Sequence, residues 1–193
     1  MITATILAAG LSRRMGKPKM ALPWGETTVL GRVLQVLRAA GVDDLLVVTG
    51  AECEEVEDIY LGAGARSVHN PDYTSGEMLS SMKIGLRAML PETQAALVVL
   101  GDQPGIQRSV VEAVIRSSNE SGDSLVVPSY RHRRGHPWLV GRAWWSELLE
   151  MPSTETPRDF LKRHASAIRY VDAGSASILE DIDTTEEYLK SRP

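Results

Sequence analysis

Ile6-Leu7-Ala8-Ala9-Gly10-Leu11-Ser12-Arg13-Arg14-Met15-Gly16-Lys17-Pro18-Lys19 decides how this chain is read, because an apolar strand runs straight into a loop rich in glycine and cations. Gly10 and Gly16 let the main chain take conformations closed to other residues and approach a ligand closely, while exposed N–H groups, Arg14 and Lys19 supply positive charge. Such a loop cradles phosphates, and a nucleoside triphosphate is its natural guest. The spacing is neither that of a P-loop, which ends in Gly-Lys-Ser/Thr, nor that of a G-x-G-x-x-G dinucleotide fingerprint. Arg13 and Lys17 read as solvated cations.

Outward from this loop, the composition narrows the possibilities. A chain of 193 residues fits one domain with a proper core, taken here as residues 1–193. A formal net charge of -4 argues against a nucleic-acid binder held by a basic surface, while leaving room for a local basic pocket. The single cysteine, Cys53, has no internal disulfide partner, and no Cys/His cluster has zinc spacing, so a reducing cytoplasm is the expected home. No basic leader with a long apolar run opens the chain, and no stretch reaches the roughly 20 apolar residues that span a bilayer. Neither nucleic acid nor membrane is an expected partner.

Short β-rich runs alternate with helical periodicity. Residues 3–9, 45–49, 66–69 and 95–100 read as strands, and 29–40, 54–61 and 78–90 as helices. Leu97-Val98-Val99-Leu100 has no polar face, as expected of a central strand in a largely parallel sheet covered on both sides. Further on come a helix at 109–119, strands at 124–128 and 137–140, helices at 143–150 and 158–164, a strand at 167–172 and a last helix from 185. This α/β order brings the loop after the first strand and Gly101-Asp102-Gln103-Pro104 after the fourth to one carboxyl edge, where the site should lie.

The opening motif resembles the signature L-A-A-G-x-S-x-R-M-G-x-x-K, with Leu7, Ala8, Ala9, Gly10, Ser12, Arg14, Met15, Gly16 and Lys19 at its fixed positions. On that ground the chain is similar to MobA/MocA-like nucleotidyltransferases, and most to molybdenum cofactor cytidylyltransferases. The resemblance implies a Rossmann-like three-layer α/β/α sandwich with a mostly parallel mixed sheet, nucleotide-diphospho-sugar transferase-like, with one strand reversed. It also implies that Leu7 to Gly10, Ser12, Arg14, Gly16 and Lys19 bind the nucleotide. Lys19 then also neutralises charge on the reacting phosphate.

Asp102 follows four apolar residues on a turn stiffened by Pro104, so its carboxylate is expected to emerge from the sheet edge. By itself it reads either as a ligand for Mg2+, which takes a few hard carboxylate oxygens beside substrate phosphates, or as a cap of the next helix. The resemblance assigns it to Mg2+. Near the C-terminus, Glu180-Asp181-Ile182-Asp183-Thr184-Thr185-Glu186-Glu187-Tyr188 resembles the family's D-I-D-T-P-E-D-Y, with Thr185 and Glu187 as departures. Asp183, then Asp181, are candidates for further Mg2+ ligands. Alternatively, Asp183 or Thr184 caps the last helix, and the two roles are compatible.

Between strand three and its helix, Asn70-Pro71-Asp72-Tyr73-Thr74-Ser75-Gly76-Glu77-Met78-Leu79-Ser80-Ser81 lies where the family contacts base and ribose, with Ser80 and Ser81 as candidates. The alternative makes Ser75 a cap and Met78 and Met82 core. Guanylyl-transferring relatives read L-A-G-G where this chain has Leu7-Ala8-Ala9-Gly10, so the Ala9 methyl favours cytidine, by about 1 kcal/mol. Tyr130-Arg131-His132-Arg133-Arg134-Gly135-His136-Pro137 matches R-G-H-P and reads as the acceptor side through Arg134 and His136, joined by Arg158. The bland alternative is an exposed basic hairpin.

The reaction this implies is attack by the phosphate of a molybdopterin-type cofactor on the α-phosphorus of CTP. Alternatives are another nucleotide, another phosphorylated acceptor, or a protein that only delivers finished cofactor to a molybdenum hydroxylase. An oxidoreductase, a label some relatives carry, finds no dinucleotide fingerprint and no cysteine pair here.

Overall fold

A computed structural model describes residues 1–12, 14–51, 53–75, 78–118 and 124–193. The expectations for Arg13, Gly76, Glu77, the side chain of Ser75 and the helix end at Asn119 fall outside the described structure. In chain order the elements are β1 (Ile2–Ala8), β2 (Pro23–Trp24), β3 (Thr27–Thr28), α1 (Val29–Ala39), β4 (Asp44–Thr49), α2 (Cys53–Gly62), β5 (Arg66–His69) and α3 (Met78–Arg87). There follow β6 (Ala95–Leu100), α4 (Arg108–Arg116), β7 (Leu125–Tyr130), β8 (Arg133–Arg134), β9 (Trp138–Gly141), α5 (Trp145–Glu150), α6 (Pro157–Arg163), β10 (Arg169–Asp172) and α7 (Thr185–Ser191).

The strands lie in the order β10-β7-β9-β6-β1-β4-β5, with β8 paired to β7. Alternation along each central strand sends side chains to both faces, and both are dry. On one face Ala4, Ile6, Leu97 and Val99 meet Leu30, Leu34 and Leu37 of α1, Val56 of α2 and Val111 of α4. On the other, Leu7, Ala96 and Val98 meet Leu79 and Met82 of α3, Leu148 of α5 and Phe160 of α6. The result is the expected three-layer α/β/α sandwich with a mostly parallel sheet. Among the described residues, no helix is long and apolar enough to cross a membrane.

β9 runs antiparallel to both neighbours, pairing Leu139 with Leu97 of β6 and with Val126 of β7. Its direction follows from reach. Parallel neighbours need a crossover of a dozen or more residues, and the segment between β7 and β9 holds only a hairpin turn and Gly135-His136-Pro137. Sequence periodicity also passed over the β2–β3 hairpin, whose two-residue strands are too short to show alternation. The predicted helix at 143–150 opens as a 3-10 turn, Arg142–Trp144, and the strand at 167–172 starts only at Arg169.

At the amino edge, Asp44 binds three strands together. It accepts from Thr3 Oγ1 at 2.7 Å and from Arg66 Nε and Nη2 at 3.0 and 2.8 Å. Burial opposes its charge, yet the hydrogen bonds from Arg66 and Thr3 outweigh that and hold the carboxyl below its ordinary value of 3.8. Because the folded group is the more acidic, its contribution is complete above 3.8 and fades as pH falls through the folded value. Asp44→Ala should therefore cost about 2 kcal/mol in urea denaturation near neutral pH, the difference from wild type shrinking towards about pH 2.

Candidate active site

The motif loop is built around Ser12. Its backbone is left-handed at φ +44°, its carbonyl accepts the N–H groups of Met15 and Gly16 at 3.0 and 3.1 Å, and its Oγ accepts the backbone N–H of Lys19 at 3.1 Å. Gly16, at φ +62°, completes the turn in a conformation that L side chains rarely adopt. Met15 leans into an apolar cluster with Val29, Ile182 and Tyr188, tying the loop to the C-terminal segment. Ser12 and Met15 thus brace the loop from within. Leu7 acts through its carbonyl, which accepts the Gly101 N–H at 3.0 Å and fastens the Gly101-Asp102 turn to the end of β1.

Three distant stretches converge on Lys19. Its Nζ donates to Asp102 Oδ2 at 2.5 Å, to Asp183 Oδ1 at 3.2 Å and to the Ile182 carbonyl at 3.2 Å, while Arg14 Nη1 donates to Asp183 Oδ2 at 2.9 Å. The Ile182 N–H donates to the Asp102 carbonyl at 3.0 Å, so the segment 181–183 docks edge-on to the turn after β6. Asp102 does not emerge as an open carboxylate: its side chain is only 16% exposed, because the Lys19 butyl stem and the docked segment cover it. Nor does it cap a helix, since α4 starts at Arg108 with Gln107 at its cap. Burial disfavours the Lys19 ammonium, but the paired carboxylates overcome this and raise its pKa. Burial likewise raises that of Asp102, with Lys19 opposing and Asp181 adding to the rise.

Asp102, Asp181 and Asp183 each offer a carboxylate oxygen, all within 4.8 Å of one another. Three hard oxygen donors at that spacing, two of them half-buried and one exposed, fit a divalent cation such as Mg2+. The cap reading is satisfied as well, by Thr184: its Oγ1 accepts the Glu187 N–H at 3.2 Å, and Glu187 Oε2 accepts the Thr184 N–H at 2.8 Å. Asp183 is left to face the cations. Ile182, buried between two carboxylates, is the plug that turns both outward.

A cleft of about 740 Å3 opens beside this cluster and shares Asp181 with it. Arg133, Arg134, Arg158 and Lys162 give it positive charge, and Leu100, Trp138, Leu161 and Leu179 give it apolar walls. The hairpin reading and the acceptor reading divide one basic stretch. Arg131 and His132, at φ +48° and +63°, form the exposed two-residue turn from β7 to β8. Arg134, Gly135 and His136 turn into the cleft, where a Cβ on Gly135 would stand 2.2 Å from the Ile178 carbonyl, so only glycine fits. Arg134 donates to Tyr170 Oη at 2.9 and 2.6 Å and to the Leu161 carbonyl at 3.3 Å, Lys162 pairs with Asp159 at 3.0 Å, and Arg134, Arg158 and Lys162 are all exposed.

His136 does not supply charge. Its Nε2 is buried without a hydrogen-bond partner among the described residues, and burial, helped by Arg158, pushes its pKa down to about 3. Ser80 and Ser81 start α3 beside the carboxyl end of β5, and both hydroxyls accept from Asn70 Nδ2 at 3.0 Å. Asn70, fully buried, was not singled out in the sequence, although an Asn-Pro closing a strand marks a turn that only a side-chain amide could brace internally. Met82 is core as the alternative had it, whereas Met78 is exposed at the cleft rim. Lys162 and Trp138, also cleft residues, carry no motif that would have flagged them. Ala8 and Gly10 flank the knot of Lys19, Asp102 and Asp183: a Cβ built on Gly10 would stand 4.0 Å from Lys19 Cε, and one on Gly101 would stand 3.3 Å from Ala8 Cβ. Ala9 packs on Gly50, where a Cβ would meet its carbonyl at 2.5 Å.

A glycine-rich motif loop, an acidic cluster and a basic cleft at the carboxyl edge of a mostly parallel α/β sheet give the chain a nucleotidyltransferase architecture. The MobA-like NTP transferase domain matches residues 4–168, and the chain belongs to that family. It is 29% identical over 195 residues to the molybdenum cofactor cytidylyltransferase of Escherichia coli strain K12, covering 99% of this chain and 95% of that one. It is also 29% identical over 197 residues to nicotine blue oxidoreductase of Paenarthrobacter nicotinovorans, covering 98% and 95%. Rv0371c of Mycobacterium tuberculosis H37Rv superposes with a TM-score of 0.84 at 27% identity, over 98% of this chain and 96% of that one. Its complex with manganese gives 0.78 over the same shares.

The neutral His136 makes a pH prediction. Its folded pKa of about 3 lies below the ordinary 6.5, so the unfolded chain takes up the proton first, and stability declines as pH falls from 6.5 towards 3. In His136→Gln, the unfolding free energy over that range should be flatter than in wild type. Parallel curves from urea titrations would rule out a buried neutral imidazole.

Proposed function

We propose that the chain, acting as one domain over residues 1–193, transfers CMP from CTP to the phosphate of a molybdopterin-type molybdenum cofactor and releases pyrophosphate. The observation that carries this reading is the position of Asp181, a member of the carboxylate cluster and also of the cleft wall. A nucleotide held by the motif loop and an acceptor held in the cleft would bring their phosphates together there. The cleft has room for a phosphorylated heterocycle, with Leu100 and Leu179 among its apolar walls and Arg158 and Lys162 for its phosphate.

In the reaction, an acceptor phosphate oxygen forms a bond to the α-phosphorus while the bond from that phosphorus to the bridging oxygen of pyrophosphate breaks. A phosphate monoester, with a second pKa of about 6, is already ionised near neutrality, so the step needs alignment and charge neutralisation rather than a base. Lys19 and Arg14, at the carboxyl edge beside the motif loop, supply positive charge to the triphosphate. A divalent cation held by Asp102, Asp183 and Asp181 would add charge neutralisation at the reacting phosphates. Rv0371c, which is similar in fold, forms a complex with manganese, in keeping with a divalent cation in proteins of this shape. The Ala9 methyl favours cytosine over guanine, and the identity to the Escherichia coli cytidylyltransferase supports the same choice. Cytoplasmic residence follows from this substrate pair.

Incubation with each nucleoside triphosphate, Mg2+ and molybdenum cofactor should give pyrophosphate and a dinucleotide with CTP above the others. Asp102→Asn should lower kcat by about 1000-fold, and Lys19→Met by about 100-fold with a smaller change in KM for CTP. Undiminished pyrophosphate release from Asp102→Asn would remove the assignment.

A further inference from the structure

An ammonium has three N–H donors, and Lys19 spends all three on Asp102, Asp183 and the Ile182 carbonyl. Two of these acceptors belong to the carboxylates that fit a divalent cation. A cation that engaged Asp102 and Asp183 while Lys19 stayed in place would sit against a buried positive charge on shared oxygens. Lys19 is only 10% exposed along its side chain, so water screens that repulsion poorly. Arg14 on the outer oxygen of Asp183 adds a second positive charge.

We infer that Lys19 is a built-in stand-in for the metal, holding the carboxylate site closed until a polyphosphate gives the ammonium another partner. Exposed Gly10 offers the ammonium a second partner close by: a Cβ built there would stand 4.0 Å from Lys19 Cε, so a phosphate resting on the bare backbone of Gly10 lies within reach of the lysine. Once Lys19 turns to the phosphate, Asp102 and Asp183 lose their counter-charge and take the cation in its place. Metal and nucleotide then strengthen each other's binding through one side chain, by equal factors in both directions. The inference rests on the reading that these three carboxylates are the metal ligands.

The test uses Mn2+ alone, without nucleotide, on the full chain, with bound Mn2+ followed by electron paramagnetic resonance. Lys19→Met should bind Mn2+ about tenfold more tightly than wild type, or better, while Lys19→Arg, which keeps the charge, should stay close to wild type. Adding Asp102→Asn to Lys19→Met should abolish the gain. Should Lys19→Met fold poorly, Lys19→Gln offers the carboxylate a neutral donor, and Mn2+ should raise its melting temperature by more than that of wild type. Equal Mn2+ affinity in wild type and the neutral variants, lost in Asp102→Asn, would overturn the stand-in role and leave the metal site intact. No Mn2+ bound by any of these proteins, with or without CTP, would overturn the metal site itself.

Discussion

The buried ion pair between Lys19 and Asp102 sets the geometry of everything around it. It joins the loop after the first strand, the turn after β6 and the segment before the last helix, which are separated by most of the chain length. Closing such long loops costs conformational entropy, and one exposed salt bridge would return little of it. Here the pair is reinforced from three directions. The Ile182 N–H meets the Asp102 carbonyl, the Gly101 N–H meets that of Leu7, and Ile182 and Met15 share an apolar cluster with Tyr188. Removing one partner would strand a buried charge at a cost of about 3–5 kcal/mol, much more than the pair adds over an apolar pair of the same shape. The arrangement therefore constrains position more than it stabilises, and position is what phosphate chemistry requires.

The last helix has an unexpected share in this. α7 contributes no catalytic group, yet its capping box orders residues 183–187, and Tyr188 Oη reaches the Pro23 carbonyl at 2.6 Å. That bond, together with the contact between Trp24 and Tyr188, lays the C-terminal segment against the small β2–β3 hairpin just beyond Lys19. The hairpin is thus a buttress. Its two strands are too short to persist alone, and they are held by the elements on either side.

The core of the fold was legible because its signals are local and repeated. Mostly apolar runs in β1, β4 and β6 and the helical spacing of α1 and α3 mark elements to within a few residues. The reversed β9 left no trace in periodicity, which carries no direction, although the short connection from β7 already forbade a crossover. The candidate site divides along the same line. Residues that work through backbone conformation or charge, such as Gly16, Lys19 and Asp102, stand out in a motif. Lys162 and Trp138 matter by where tertiary packing delivers them, and nothing adjacent in sequence announces that; Asn70 and Ile182 sit in stretches a motif marks, but their burial comes from packing alone. The burial of Asp102 belongs to this second kind, because its cover comes from residues 19 and 182.

On the proposed reading, the two substrates draw on different parts of the chain. The nucleotide side is built from the β1 loop and the start of α3, before residue 90. The cleft comes from the segments around residues 133–136, 153–158 and 178–181, with Leu79, Leu100 and Gln103 also in its lining and Met78 at its rim. At the knot the same few charged groups must serve the lysine, the phosphates and the cation, so it tolerates little change. The cleft imposes softer conditions, an apolar slot with cations at its rim, and these can be met by many side-chain sets. A fold arranged this way can exchange acceptors by repacking the cleft while the knot stays the same, provided the change spares Asp181, the one carboxylate common to both.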